Sequence, residues 1–105
     1  MKVLRLAGSS PLIQNNSAFI LQQSGYPAKA VPMFKYLQQK YNTGDFNNNL
    51  AQCYLSLGDI DEAKKYFRIG LTKDPHSSEM HGALGLILSE EGNLSEALAH
   101  ISESL

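Results

Sequence analysis

The chain contains no tryptophan and a single cysteine, Cys53. One thiol excludes a disulfide framework, or a zinc site built from several cysteines, within one chain. Charge is nearly balanced: nine Lys and Arg against ten Asp and Glu leave a net −1, too little to attract nucleic acid or anionic lipid to the whole molecule. Long apolar runs are missing, and none approaches the roughly 18 residues that a membrane span requires. The opening stretch, Met1 to Gly8, is short and interrupted by Arg5, so it does not form a signal-peptide core. The expectation is a cytoplasmic chain with neither a membrane nor a nucleic-acid partner. Its 105 residues allow one domain or a short run of stacked units, and the 43% apolar content is ordinary for a folded protein.

What the sequence does contain is a repeat, found by sliding the chain against itself. At an offset of 34, Leu50 meets Leu84, Gly58 meets Gly92, Ala63 meets Ala97 and Phe67 meets Ile101; Ala51 meets Gly85 and Tyr54 meets Leu88. At an offset of 33 upstream, Gly58 meets Gly25, Ala63 meets Ala30, Phe67 meets Phe34 and Ala51 meets Ala18. Three copies follow, at 11–43, 44–77 and 78–105, the last unfinished.

Each copy reads as two helices. Leu50, Tyr54 and Leu57 recur at three- and four-residue spacing, one stripe of a helix that Gly58 ends by taking positive φ at little cost. Asp59-Ile60-Asp61-Glu62 then offers a polar cap with a glutamate three residues on, and Ala63, Phe67 and Leu71 form the next apolar stripe. Asp74-Pro75 closes it. Copy three repeats the punctuation with Gly92 and Asn93-Leu94-Ser95-Glu96. Copy one starts at Ser10-Pro11 and turns at Gly25-Tyr26-Pro27. Pro32 falls inside a predicted helix and leads to the expectation of a local kink or a late helix start. Residues 1–10, with Leu4 and Ala7 spaced like Phe67 and Gly70, read as the C-terminal half of a helix from a preceding repeat. The sequence stops inside the second helix of copy three. Both features predict a piece of a larger protein.

This helix pair resembles the tetratricopeptide repeat (TPR). The resemblance rests on Leu50-Ala51, Tyr54, Gly58, Ala63, Phe67 and Pro75 in copy two and on Leu84-Gly85, Leu88, Gly92, Ala97 and Ile101 in copy three. Copy one adds Ser17-Ala18, Leu21, Gly25, Ala30 and Phe34. The early tryptophan of the family is replaced by Gln14, Asn47 and His81. The resemblance implies an all-α, right-handed solenoid of antiparallel helix pairs, with first helices lining a concave groove. It implies a non-enzymatic scaffold for a protein or peptide partner, with no cofactor. The groove positions it assigns include Asn15, Phe19 and Gln22 in copy one, Asn48, Asn49, Gln52 and Leu55 in copy two, and Gly82, Ala83, Leu86, Ser89 and Glu90 in copy three. Amides, which both donate and accept, suit a peptide backbone of any sequence. Co-chaperone repeats that grip a C-terminal carboxylate use two lysines, an arginine and two asparagines. Here Asn49 matches one asparagine, while Asn15, Phe19, Gly82 and Leu86 occupy the other places, so the clamp lacks its cations.

Other candidate chemistry is thin. His76, His81 and His100 include no pair at i, i+4 spacing, which argues against a metal site. Gly82-Ala83-Leu84-Gly85 has neither the lysine nor the preceding strand of a phosphate loop and fits close helix packing better. Ser77, Ser78 and Glu79 have no strand-to-helix elbow to present them as a nucleophile relay. Cys53 reads as a buried, inert thiol. Charge along the chain is lopsided: +5 over residues 1–43, −1 over 44–77 and −5 over 78–105. In a solenoid, sequence order becomes spatial order, so a basic end and an acidic end are expected, and with them an alternative role in head-to-tail self-association.

Overall fold

Three glycines punctuate the chain in the same way. Gly25, Gly58 and Gly92 adopt φ of +88°, +80° and +84°, which residues bearing a Cβ rarely tolerate. At each, the amide of the residue after the glycine reaches back to a carbonyl of the last turn: Tyr26 to Leu21 at 2.8 Å, Asp59 to Tyr54 at 2.9 Å and Asn93 to Leu88 at 2.9 Å. The glycine amides bond Gln22, Leu55 and Ser89, completing the same reversal each time and satisfying carbonyls the helix would leave open.

A computed structural model describes residues 11–105, with side chains from Asn16 onward. Its six helices are α1 (Pro11–Gln23), α2 (Pro27–Tyr41), α3 (Gly44–Ser56), α4 (Ile60–Lys73), α5 (Ser78–Glu90) and α6 (Leu94–Ser104). The helix expected within residues 1–10 lies outside the described residues, as does the Asn15 side chain. Four N-termini carry side-chain caps. Thr43 accepts from the Phe46 amide, Asp59 from Glu62, Ser77 from Met80 and Asn93 from Glu96. The Asn93 side chain also donates through Nδ2 to Glu96 Oε1 at 3.2 Å, a second bond between the same two residues.

Pro32 does not delay α2. The helix starts at Pro27, in the first turn where an N–H has no helical partner anyway, and continues through Pro32. The carbonyl that Pro32 leaves without its helical donor belongs to Ala28, in the exposed first turn.

Successive helices pack as antiparallel pairs that stack along an elongated body of 46 × 24 × 19 Å. The core is a ribbon running the length of that body. Ala18, Ala30, Phe34, Leu37, Leu50, Ala51, Cys53, Ala63, Phe67 and Leu84 are fully enclosed in it. The small residues mark close backbone approach. A Cβ on Gly85 would stand 2.8 Å from Ile101 Cγ1 and 3.2 Å from the Ala97 carbonyl oxygen, both on α6. A Cβ on Gly44 would stand 2.9 Å from Asp74 Cβ, so the start of α3 and the end of α4 are similarly tight. Asn47, in the place of the family tryptophan, is buried and turned to polar use. Its Nδ2 donates to Asn42 Oδ1 at 2.8 Å and to the Thr43 carbonyl at 2.7 Å. These bonds brace the α2–α3 turn, where Asn42 takes a left-handed φ of +46°. The fold is the expected all-α helical-repeat solenoid.

Candidate functional site

An open hollow of about 390 Å³ lies where α3 and α5 meet the turns that follow them. Leu55 contributes from α3, and Ala83, Leu86 and Ile87 from α5, with Ile60 at the start of α4 and Glu90 and Glu91 on the rim. The spacing of the contributors explains the shape. Ala83, Leu86, Ile87 and Glu90 fall at three- and four-residue intervals on one side of α5. A small side chain at Ala83 leaves depth there, while Leu86 is 60% exposed, a large apolar surface facing water.

The two rim carboxylates differ. Glu91 is held by Lys64 of α4, whose Nζ lies 2.9 Å from each carboxylate oxygen. Glu90 has no ion-pair partner among the described residues and is exposed. A second cross-repeat pair, Arg68 to Glu96 at 2.9 Å, joins α4 to α6. The hydrogen bond from Arg68, together with its charge, holds the Glu96 carboxyl below its ordinary range, and His100 acts in the same sense.

Of the groove residues expected from the sequence, Leu55 and Leu86 come together in this hollow. Asn48, Asn49 and Gln52 stand half-buried on α3, with Gln52 Nε2 donating to Asn48 Oδ1 at 3.5 Å. Phe19 and Gln22 are on α1, away from the hollow's lining; Phe19 is exposed and the buried Gln22 Oε1 has no partner among the described residues. Sequence spacing did not identify Ile60, Ile87 or Glu91 as lining residues. Only the glycine turns, which fold the ends of α3 and α5 back toward the hollow, could have pointed to them.

The histidines contain a pairing that their spacing conceals. His81 on α5 and His100 on α6 face each other with Nδ1 atoms 3.0 Å apart, and His81 Nε2 lies 2.7 Å from the Pro75 carbonyl oxygen. A carbonyl only accepts, so His81 carries a proton on Nε2, and the Nδ1–Nδ1 contact is bridged by a proton that either ring can donate. His100 Nε2 then faces Glu96 Oε2 at 3.6 Å. The imidazole in place of the tryptophan therefore links the second repeat's exit loop to the last helix. Among the described residues no three His, Cys, Asp or Glu side chains are placed to share a metal ion. Cys53 is enclosed, and burial pushes its thiol up to about 12. No described helix is long and apolar enough to cross a membrane.

A sequence comparison with curated proteins finds none that matches. Solved structures match well in shape. The type III secretion translocator chaperone SycD of Yersinia enterocolitica superposes with a TM-score of 0.85 at 23% identity, over 93% of this chain and 76% of SycD. MamA of Desulfovibrio magneticus RS-1 gives 0.87 at 15% identity, and the chain spans 98% of itself but 59% of that MamA fragment. The second TPR domain of Spaghetti (RPAP3), bound to the HSP90 peptide SRMEEVD, gives 0.83 at 17% identity over 90% and 88% of the two chains. At these identities the likeness is one of fold. The family model of the tetratricopeptide repeat matches residues 21–87, most of the chain and the turns at Gly25 and Gly58, and the protein belongs to the tetratricopeptide-repeat family.

Proposed function

We propose that this chain is a non-catalytic protein–protein interaction module that binds a peptide segment along its first helices. The observation that carries the reading is the hollow in which the half-buried Leu55 and the exposed Leu86 come together from successive first helices, with Gln52 one helical turn before Leu55 on α3. An exposed leucine on a helix face is ordinary when scattered; one that shares a concavity with a second leucine, on a helix face that also carries hydrogen-bonding amides, fits a ligand of mixed character. The Asn48–Gln52 bond uses one donor and one acceptor of the pair, leaving further amide groups for a peptide backbone. The peptide-bound RPAP3 domain is a precedent for this fold at matching length. Its peptide is acidic, and the first helices here supply no cation to receive one.

The test is selection from a displayed random-peptide library on the immobilised protein, followed by titration of the selected peptides. Substituting Asn48, Asn49 and Gln52 together by alanine, or Leu86 by aspartate, is expected to remove binding while far-UV circular dichroism stays unchanged. Peptides that bind both variants with undiminished affinity would refute the groove.

A second reading, self-association end to end, is favoured by α6. Leu94, Leu98, Ile101 and Leu105 recur along one side of it and are all exposed, Leu98 to 66%. Apolar surface left in water costs about 25 cal/mol per Å², and a second copy stacking there would cover it. The +5 and −5 segments of the sequence would orient such a contact.

A further inference from the structure

The described residues divide their charge by helix. Lys29, Lys35 and Lys40 lie on α2, and Lys64, Lys65, Arg68 and Lys73 on α4; no other described residue is a lysine or arginine. The first helices α1, α3 and α5 have no cation at all, and their only charged residues are Asp45, Glu79 and Glu90. At the hollow itself Lys64 neutralises Glu91, so the net charge there is that of Glu90.

Resting on the groove reading above, we propose that the hollow selects a peptide segment with a bulky apolar side chain and a lysine or arginine two residues away. The apolar side chain enters between Leu55 and Leu86, over Ala83, and the cation meets Glu90. Spacing supports the pairing. Leu86 and Glu90 are four residues apart on α5, about 6 Å along the axis at 1.5 Å per residue. Same-side residues of an extended peptide, two apart, are separated by roughly 6.5–7 Å. An extended ligand lying along α5 therefore brings alternate side chains to the leucine and to the carboxylate in register. An acidic segment, in contrast, meets a like charge and no compensating cation on any first helix.

The experiment uses three capped ten-residue peptides on a Gly/Ser background. Each has a central leucine, and lysine, serine or glutamate occupies both positions two residues from it. Fluorescence anisotropy should rank them lysine, serine, glutamate, with roughly fivefold or more between the extremes at low salt, because each exposed charge contact is worth a few-fold. The gap should shrink at high ionic strength. Glu90→Lys should invert the order, Leu86→Ala should weaken all three peptides, and Glu79→Lys, on the opposite end of α5, should leave the order unchanged. Equal affinities, or an order that Glu90→Lys does not move, overturn the proposal. If the library selection still yields groove-dependent binders while these peptides show no charge preference or no binding, only this specificity fails. A library that yields no groove binder removes the groove reading and this proposal together.

Discussion

Two glycines on one helix offer a clean measurement of how tightly the third helix pair is packed. Gly82 and Gly85 both lie inside α5, so replacing either with alanine removes the same conformational freedom from the unfolded chain and favours the helix by about 1 kcal/mol. Their surroundings differ. A Cβ at Gly82 meets only Ser104, at 3.8 Å, an ordinary contact, whereas at Gly85 it meets Ile101 Cγ1 at 2.8 Å, the Ala97 oxygen at 3.2 Å and the Ile101 nitrogen at 3.3 Å. The last two are backbone atoms of α6, so no rotamer change relieves them and the whole helix must shift. Overpacking of this kind costs about 1–3 kcal/mol. Gly82→Ala should therefore gain about 1 kcal/mol, and Gly85→Ala should come out between neutral and about 2 kcal/mol destabilised. For a chain of this size 1 kcal/mol moves a thermal midpoint by about 4–8 °C, so the two variants should separate by several degrees in a melt followed at 222 nm. Midpoints that rise together in both variants would mean that α5 and α6 are not in the contact described, and the small-residue argument for the repeat would fall with it.

Three further outcomes are expected. Cys53, with its thiol raised from 9.0 to about 12 by burial, should react with a disulfide reagent at pH 8 about a thousandfold more slowly in the native protein than in denaturant, tenfold for each unit of thiolate population; comparable rates would place it at the surface. Glu96 titrates below its ordinary 4.5 when folded, so its contribution is complete above 4.5 and fades as pH falls through the folded value. The midpoint difference between wild type and Glu96→Gln should thus be full at pH 6 and shrink as the solution is acidified below 4.5, and a difference undiminished in acid would argue against the Arg68 pair as its source. Leu98→Lys with Leu105→Lys should reduce any concentration-dependent association seen by sedimentation, with salt having a smaller effect; a strict monomer before substitution would remove the stacking reading.

The readable parts of this molecule are those governed by local chemistry. Gly25, Gly58 and Gly92 could be recognised as helix ends because a positive φ suits that position, and Asp59 and Asn93 as caps because a short polar side chain there accepts from the amide three residues on. Ala63, Ala97 and Gly85 were readable as close-approach sites because the repeat returns a small residue at each. Pro32 was misjudged in one respect: its missing donor falls against the first turn, where the helix tolerates it, so α2 begins on time. The contacts that shape the hollow were not legible. Lys64 reaches Glu91 across 27 residues, and His81 reaches His100 across 19; neither separation corresponds to a period of one helix. Leu55 and Leu86 were placed in the groove by family resemblance, but their convergence with Ile60 depends on the angle between stacked pairs, which no local pattern encodes.

The succession of contacts along the body also bears on how the protein is made. Each helix packs mainly on its immediate neighbours in sequence, and the most extensive packing joins α3 to α4 and α5 to α6. A nascent chain can close each hairpin as soon as its second helix clears the ribosome, without waiting for a distant segment to arrive. Loss of order can travel the same way, from one end inward, one pair at a time. A protease given limited time should therefore cut first at the α4–α5 connection, where the packing between successive pairs is thinnest.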